Sequence, residues 1–188
     1  MDDTLKLYTL GGLRILRPSA EVVSLGSRKA EAILVYLACT RRPHSRETLA
    51  DLFWDERSQS QTMGNLRREL STLHQHLGEL VEISRQEAAI LPGAPLWVDA
   101  LEFEQTLGSY LHEAGFSNPG AASRVDDAVT RLYRGAFLEG FTVYDCQGFE
   151  EWRLTMREHY QRLGVEGLRA LAAYELEGQE TQKGLAHA

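Results

Sequence analysis

The stretch Gln59–Leu77, QSQTMGNLRRELSTLHQHL, decides the fold of this chain. Its apolar residues recur at intervals of three and four, which is the period of an α-helix with one buried face: Met63, Leu66, Leu70, Leu73 and Leu77. Gly78 follows directly and is a typical helix stop. The spacing therefore predicts a helix over 59–77 whose leucines face a core.

Hydrogen-bonding side chains occupy the other face of this predicted helix. At about 100° per residue, the face away from the leucines holds Gln61, Gly64, Arg68, Ser71, Thr72 and Gln75, with Asn65, Arg67 and His74 on its flanks. Amide, hydroxyl and guanidinium groups are those that bond base edges and phosphates in a major groove. A solvated amphipathic helix has the same composition, so the pattern alone leaves both interpretations open.

The segments around this helix indicate a winged helix-turn-helix. Short alternating runs over 5–16 and 22–25 predict a small antiparallel sheet of three or four strands. Ser27 and Ser45 are N-caps of two further helices that precede 59–77. Residues 80–91 predict a hairpin with Arg85 at its tip, and Leu96-Trp97-Val98 predicts one more strand. In such an order the third helix enters the major groove.

From Asp99 onward the pattern is helical. Helices are predicted over about 99–114, 122–133 and 149–176, with Gly178 ending the last and a new helix opening at 183–188. The sequence thus predicts an α+β domain over 1–98 and an all-α domain over 99–188. The pattern stops at Ala188 without a capping residue, which predicts a longer polypeptide.

The net charge must be considered separately for residues 1–98 and residues 99–188. The 188 residues carry a formal charge of −7, which by itself argues against a nucleic-acid partner. Residues 1–98, however, carry 12 Lys and Arg against 12 Asp and Glu, whereas residues 99–188 carry 8 against 15. All of the excess acid lies in the second half, so the first half can still approach DNA.

Other classes of function lack their motifs. The sequence has no Walker loop, no GxGxxG after a strand, no nucleophile elbow and no cysteine pair at zinc spacing, so we expect no enzyme, cofactor or metal. No apolar run approaches the roughly 20 residues of a membrane span. Cys39 and Cys146 are typical of reduced thiols in a cytoplasmic protein.

The order of elements and several local motifs carry a family resemblance. They are Leu10-Gly11-Gly12-Leu13-Arg14-Ile15, Ser27–Ala32, Tyr36-Leu37-Ala38, His44–Trp54 and Asn65–Leu73, then Leu132–Phe141 and Phe149-Glu150-Glu151-Trp152. The chain resembles the antibiotic regulatory protein (SARP) group of regulators. In that group an OmpR-type winged helix precedes a bacterial transcriptional activator domain.

The resemblance implies a fold and a set of site residues. It implies a four-stranded opening sheet and a second, tetratricopeptide-like helical domain. It places Arg67, Arg68, Ser71 and Thr72 in the groove, to which the helix face adds Gln61 and Gln75. It places Arg46 and Arg85 on phosphates. Arg28, Lys29 and Arg57 are further backbone candidates, because they cluster near helix ends.

We therefore expect a sequence-specific, double-stranded DNA-binding transcriptional regulator. Its partners would be promoter DNA, RNA polymerase and a second subunit on direct-repeat sites. The alternative is a protein–protein interaction module of a larger signalling protein that uses the winged-helix scaffold without reading DNA. Salt distinguishes the two, since DNA affinity falls steeply with salt. Single-stranded nucleic acid is disfavoured because no exposed aromatic residues are predicted on a sheet.

Overall fold

The structure is a computed structural model that describes residues 4–55, 58–112 and 119–186. It is a mixed α/β fold with two small sheets. In chain order the elements are β1 (Leu5–Tyr8), β2 (Arg14–Leu16), α1 (Arg28–Thr40), β3 (His44–Ser45), α2 (Arg46–Phe53), α3 (Gln59–Leu77), β4 (Val81–Ile83), β5 (Glu87–Ile90), β6 (Leu96–Val98), α4 (Asp99–His112), α5 (Pro119–Asp127), a π-helical segment (Ala128–Leu132) and α6 (Gln147–Ala186).

The opening sheet differs from the one predicted. Its order is β2-β1-β6, with β2 antiparallel to β1 and β6 parallel to β1, so that Leu7 lies between Ile15 and Val98. Val22 forms only an isolated bridge with Leu16. The expectation of a purely antiparallel opening sheet is therefore wrong. A parallel partner requires a long crossover, and here the crossover contains the first three helices and the hairpin.

The helices and hairpin of the first half follow the sequence pattern closely. α3 spans the predicted residues, and Leu66, Leu70, Leu73 and Leu77 on it are buried. Ser27 caps α1 by accepting the Ala30 N–H at 3.3 Å, and the Ser45 hydroxyl does the same for the Thr48 N–H at 3.1 Å. β4 and β5 form the hairpin, and β3 joins it as a third strand.

The second half departs from its prediction in α6. This helix runs without a break from Gln147 to Ala186, so neither the stop at Gly178 nor the new helix over 183–188 is found. A glycine inside a helix costs only about 1 kcal/mol relative to alanine, which a long helix tolerates. The predicted helix over 122–133 is α5 followed by the π-helical segment.

One hydrophobic core runs through both halves of the chain. Phe53 at the end of α2 stacks on Phe149 of α6 with ring centroids 5.1 Å apart. Trp152 of α6 meets Tyr36 of α1 at 5.0 Å and Phe137 at 5.8 Å. These rings interlock α1 and α2 with α6, so the predicted boundary at residue 98 is crossed by continuous packing.

Backbone pairing joins the loop after β1 to the connector, which is residues 133–146 between the π-helical segment and α6. Leu138 N–H donates to Thr9 O at 2.7 Å, and Gly11 N–H donates to Ala136 O at 3.1 Å. Gly135 is needed here for space, since a Cβ on it would lie 3.2 Å from Gly11 Cα. Gly11 has a φ of +104°, which side chains disfavour.

The carboxylate of Asp99 is the centre of this junction. It is fully buried, at the point where β6 becomes α4. It accepts hydrogen bonds from Thr9 N–H at 2.7 Å, the Thr9 hydroxyl at 2.8 Å, Leu10 N–H at 3.0 Å and Ala100 N–H at 2.8 Å. Burial raises the pKa of Asp99, while these hydrogen bonds act to lower it.

His44 is a second buried polar group, between α1 and α2. Its side chain is 3% exposed, and its Nε2 lies 2.7 Å from the Thr40 hydroxyl. Its ring centroid is 4.7 Å from that of Tyr36. Burial lowers the pKa of His44, and the charge of Arg42 lowers it further.

The substitution Asp99→Asn should destabilise the fold. Both carboxylate oxygens accept N–H groups, so an amide would turn its own NH2 toward a buried donor, at a cost of about 1–3 kcal/mol. Urea denaturation measures this loss in the free energy of unfolding. Glu102→Gln is the matched control, because Glu102 is an exposed acid on the same helical turn. Equal stability of the two variants would contradict the role given to Asp99.

The pKa of His44 predicts a dependence of stability on pH. Because the folded-state pKa lies below the ordinary value of about 6.5, the unfolded chain binds more protons below that pH, and acid favours unfolding. We expect the free energy of unfolding to fall from about pH 7.5 to about pH 5.5, and to fall less in His44→Gln than in His74→Gln, an exposed control on α3. An equal fall in both variants would assign the dependence to other groups.

Candidate nucleic-acid interface

The outward face of α3 presents the predicted base-reading side chains to solvent. Gln61, Arg67, Arg68, Ser71 and Gln75 are exposed. Within the described part of the chain, none of these five side chains forms a hydrogen bond or an ion pair. Their donors and acceptors are therefore available to a ligand along about four turns of helix.

Thr72 is placed differently from the other five. It is half-buried, and its hydroxyl donates to the Arg68 carbonyl at 3.2 Å. His76 Nδ1 in turn lies 3.1 Å from the Thr72 carbonyl. Thr72 therefore stands at the edge of the outward face, with its hydroxyl bonded to its own helix.

The acidic residue of α3 is turned away from this face. Glu69 accepts a short hydrogen bond from the hydroxyl of Ser27, the residue that caps α1. This contact ties the middle of α3 to the start of α1. It also keeps a carboxylate from repelling a phosphate at the centre of the face.

The hairpin tip and the start of α2 form the second part of the candidate interface. Ser84 Oγ accepts the N–H groups of Gln86 and Glu87 at 3.1 and 3.0 Å, which shapes the turn that exposes Arg85. Arg46 N–H donates to Gln86 O at 2.9 Å. The backbone of Arg46 thus pairs with Gln86, the residue that follows Arg85 in the turn.

Arg46 carries an unsatisfied donor. Its side chain is half-buried, and its Nε is buried with no hydrogen-bond partner among the described residues. The Nε–H of this guanidinium therefore gains no hydrogen bond from the described part of the protein. Its remaining N–H groups are suited to an external anion.

Two of the predicted backbone contacts, Arg28 and Lys29, already have partners within the chain. The Lys29 ammonium donates to the carbonyls of Phe53 at 2.6 Å and Asp145 at 3.0 Å, and lies 4.8 Å from the Trp54 ring centroid. The Arg28 guanidinium lies 5.0 Å from the Phe141 ring centroid. Both cations hold α1 against the second half of the chain. Arg57 lies outside the described residues.

The sequence analysis missed this use of Arg28 and Lys29. Their position in the first turn of α1 gave no sign of it, because the groups they contact on the connector lie more than 100 residues away. Only Phe53 and Trp54 are closer in the chain.

An acidic groove borders the interface on the side of α2. It lies between α2, the first turns of α3 and the start of α6, with a volume of about 690 Å³, and its charged lining residues are Glu47, Asp51 and Asp55. Asp55 caps α6 by accepting the Gln147 N–H at 2.9 and 3.1 Å. These carboxylates would repel phosphates, so they limit the candidate interface to the α3 face and the hairpin.

The described residues offer neither a metal-binding cluster nor an activated thiol. No three His, Cys, Asp or Glu side chains among them are grouped to hold a metal ion. Burial raises the pKa of the Cys146 thiol to about 11 and that of the Cys39 thiol further, so both are weak nucleophiles at neutral pH. No described helix combines the length and apolar character needed to cross a membrane.

Comparison with known proteins shows a shared fold. No protein-family model matches the chain, and no curated protein matches it. Among solved structures it is similar to EmbR of Mycobacterium tuberculosis in complex with a low-affinity phosphopeptide. The TM-score is 0.71 at 21% sequence identity, over 96% of this chain and 51% of the EmbR chain. The chain thus spans about half the length of that EmbR chain, and the similarity shows a shared fold.

Proposed function

We propose that this chain is a sequence-specific, double-stranded DNA-binding transcriptional regulator of the SARP type. α3 would lie in the major groove, and the β4–β5 hairpin would contact the backbone or the minor groove. The observation that carries the proposal is the outward face of α3, where exposed guanidinium, amide and hydroxyl groups have no partner among the described residues. The similarity to EmbR supports a SARP-like fold.

Each side chain on this face has a matching base chemistry. Arg67 and Arg68 can donate two hydrogen bonds to the O6 and N7 of guanine, and Gln61 and Gln75 can bond the N6 and N7 of adenine. Ser71 can bond either base. Thr72, whose hydroxyl is bonded to α3 itself, is the weakest of the six candidates.

The backbone contacts of the proposal rest on few cations. Arg46, whose backbone pairs with Gln86, and Arg85 at the tip of the hairpin turn would contact phosphates. Arg28 and Lys29 are weaker backbone candidates, because both already contact the second half of the chain. Arg57 remains a candidate from its sequence position alone. With so few phosphate contacts, we expect modest non-specific affinity and binding that depends on base reading and paired subunits.

The wider assignment also belongs to this proposal. Residues 1–98 would form the OmpR-type winged helix, and residues 99–188 the tetratricopeptide-like bacterial transcriptional activator domain. Promoter DNA, RNA polymerase and a second subunit on direct-repeat sites would be the partners, in the cytoplasm. The continuous core between the two parts supports a rigid link between the reading helix and the helical domain.

Replacement of Arg68 by alanine tests base reading. If Arg68 bonds a base, Arg68→Ala should weaken binding to the selected site by about 1–3 kcal/mol and relax the preference at one base position. Selection of bound fragments from genomic DNA, followed by gel-shift titration, measures both effects. Arg169→Ala, an exposed arginine of α6, is the matched control. Unchanged affinity and preference in Arg68→Ala would contradict the groove assignment.

Replacement of Arg46 or Arg85 by alanine tests the phosphate contacts. Each change should weaken binding to all sequences alike and lower the slope of log affinity against log salt concentration by about one. Titrations over a series of salt concentrations give this slope. A slope that equals that of wild type, or DNA binding that is insensitive to salt, would count against the proposed backbone contacts and favour a role in protein interaction.

A further inference from the structure

A second cationic surface lies on the opening sheet, away from α3. The outer side of this sheet carries Lys6, Tyr8 and Arg14, with Trp97 beside them on β6, and the connector adds Arg134. We call these five residues the Tyr8 face. The buried side of the same strands packs Leu5, Leu7 and Ile15 into the core.

The Tyr8 ring is the centre of this face. The Arg14 guanidinium lies 4.8 Å from the ring centroid, and the Arg134 guanidinium lies 4.6 Å from it. The Trp97 ring meets the Tyr8 ring edge-on at 5.3 Å. A guanidinium at this distance from a ring can keep N–H donors at its edge, from which it binds a carboxylate through two hydrogen bonds.

These cations have no anionic partner in the described part of the chain. Neither Lys6, Arg14 nor Arg134 forms an ion pair there, although Arg134 Nε donates to the Arg131 carbonyl at 3.1 Å. All three side chains are exposed. The protein has a net charge of −7, so carboxylates are plentiful in the chain. None of the described carboxylates lies within ion-pair distance of these three cations.

A groove continues from Trp97 between β6, α4 and the π-helical segment. Its volume is about 410 Å³, and its lining includes Trp97, Glu102, Thr106, Arg124, Asp127 and Arg131. Arg131 and Asp127 form an exposed ion pair at 2.9 Å. The groove is thus mixed in charge, with Trp97 as an aromatic wall.

We propose that the Tyr8 face is a docking surface for an acidic segment of another polypeptide. Carboxylates of the segment would bond the guanidinium groups of Arg14 and Arg134, and an apolar side chain between them would pack against Trp97 in the groove. Tyrosine, tryptophan and arginine are the residue types that dominate protein-binding hot spots, and all three meet here. This surface is separate from the proposed DNA interface.

The observations favour a polypeptide over a nucleic acid on this face. Glu102 and Asp127 in the groove would repel a continuous phosphate backbone, whereas a polypeptide can place carboxylates at Arg14 and Arg134 and an uncharged side chain at the groove. Tyr8 and Trp97 are aromatic residues of this sheet, and both are half-buried. The Tyr8 ring is already in contact with two guanidinium groups and an indole, so it does not offer the open stacking platform that single-stranded nucleic acid needs.

Fluorescence anisotropy with defined probes tests the proposal. The probe is a labelled synthetic peptide in which glutamates alternate with leucines, and its control replaces every glutamate by glutamine. We expect the acidic peptide to bind the full chain, and the glutamine peptide to bind at least about tenfold more weakly. Failure of the acidic peptide to bind, or equal binding of both peptides, would overturn the proposal.

Matched variants locate the binding. Arg14→Gln combined with Arg134→Gln should weaken peptide binding by about tenfold or more, whereas Arg162→Gln combined with Arg169→Gln, two exposed arginines of α6, should leave it unchanged. Arg14→Lys with Arg134→Lys should give an intermediate loss, because lysine keeps the charge but not the planar fork. Retained affinity for the selected DNA duplex shows that each variant is folded and that the two surfaces act separately.

Three outcomes would assign the face to another occupant and overturn the proposal. If a single-stranded oligonucleotide competed with the peptide and bound with the same affinity, the Tyr8 face would be a nucleic-acid surface. If the variant that carries both Arg14→Gln and Arg134→Gln lost duplex binding while its stability stayed unchanged, the DNA interface would extend to the Tyr8 face. Self-association of wild type in sedimentation, lost in that variant, would identify a second copy of this chain as the occupant.

Discussion

The buried carboxylate of Asp99 is the interaction on which the rest of this structure depends. It accepts hydrogen bonds from the end of β1 and from the first turn of α4, two segments 90 residues apart in the chain. A buried charge is tolerated only where donors surround it, so the carboxylate specifies how the sheet and α4 must meet. The connector then pairs with the loop after β1, and one core closes over both halves.

This junction changes what the cations of the first half can do. Lys29 and Arg28 contact the second half of the chain, and Arg134 of the second half contacts Tyr8 of the first. The net charge of each half of the sequence therefore does not describe the cationic surfaces of the folded chain correctly. Two cationic sites result, one at the hairpin beside α3 and one around Tyr8, and each consists of a few placed arginines rather than a broad basic field.

The parts of the fold that the sequence predicts are those governed by local periodicity and capping. α3 ends at the residues its leucines indicate, and Ser27 and Ser45 cap the helices that follow them. The errors concern contacts between distant residues. β6 pairs with β1, although almost the whole first half of the chain lies between them in sequence. α6 continues past Gly178, because one glycine disfavours the helix less than the surrounding residues favour it.

What the sequence by itself determined is the division of α3 into an apolar face and a hydrogen-bonding face. That division depends only on residue order and the helical repeat, so it holds whatever α3 packs against. What only the tertiary structure decided is which charged groups remain available. Lys29 lies 116 residues from the carbonyl of Asp145 that it contacts, and Arg134 is likewise far in the chain from Tyr8. Such partners are brought together by burial of the shared core, which no local pattern encodes.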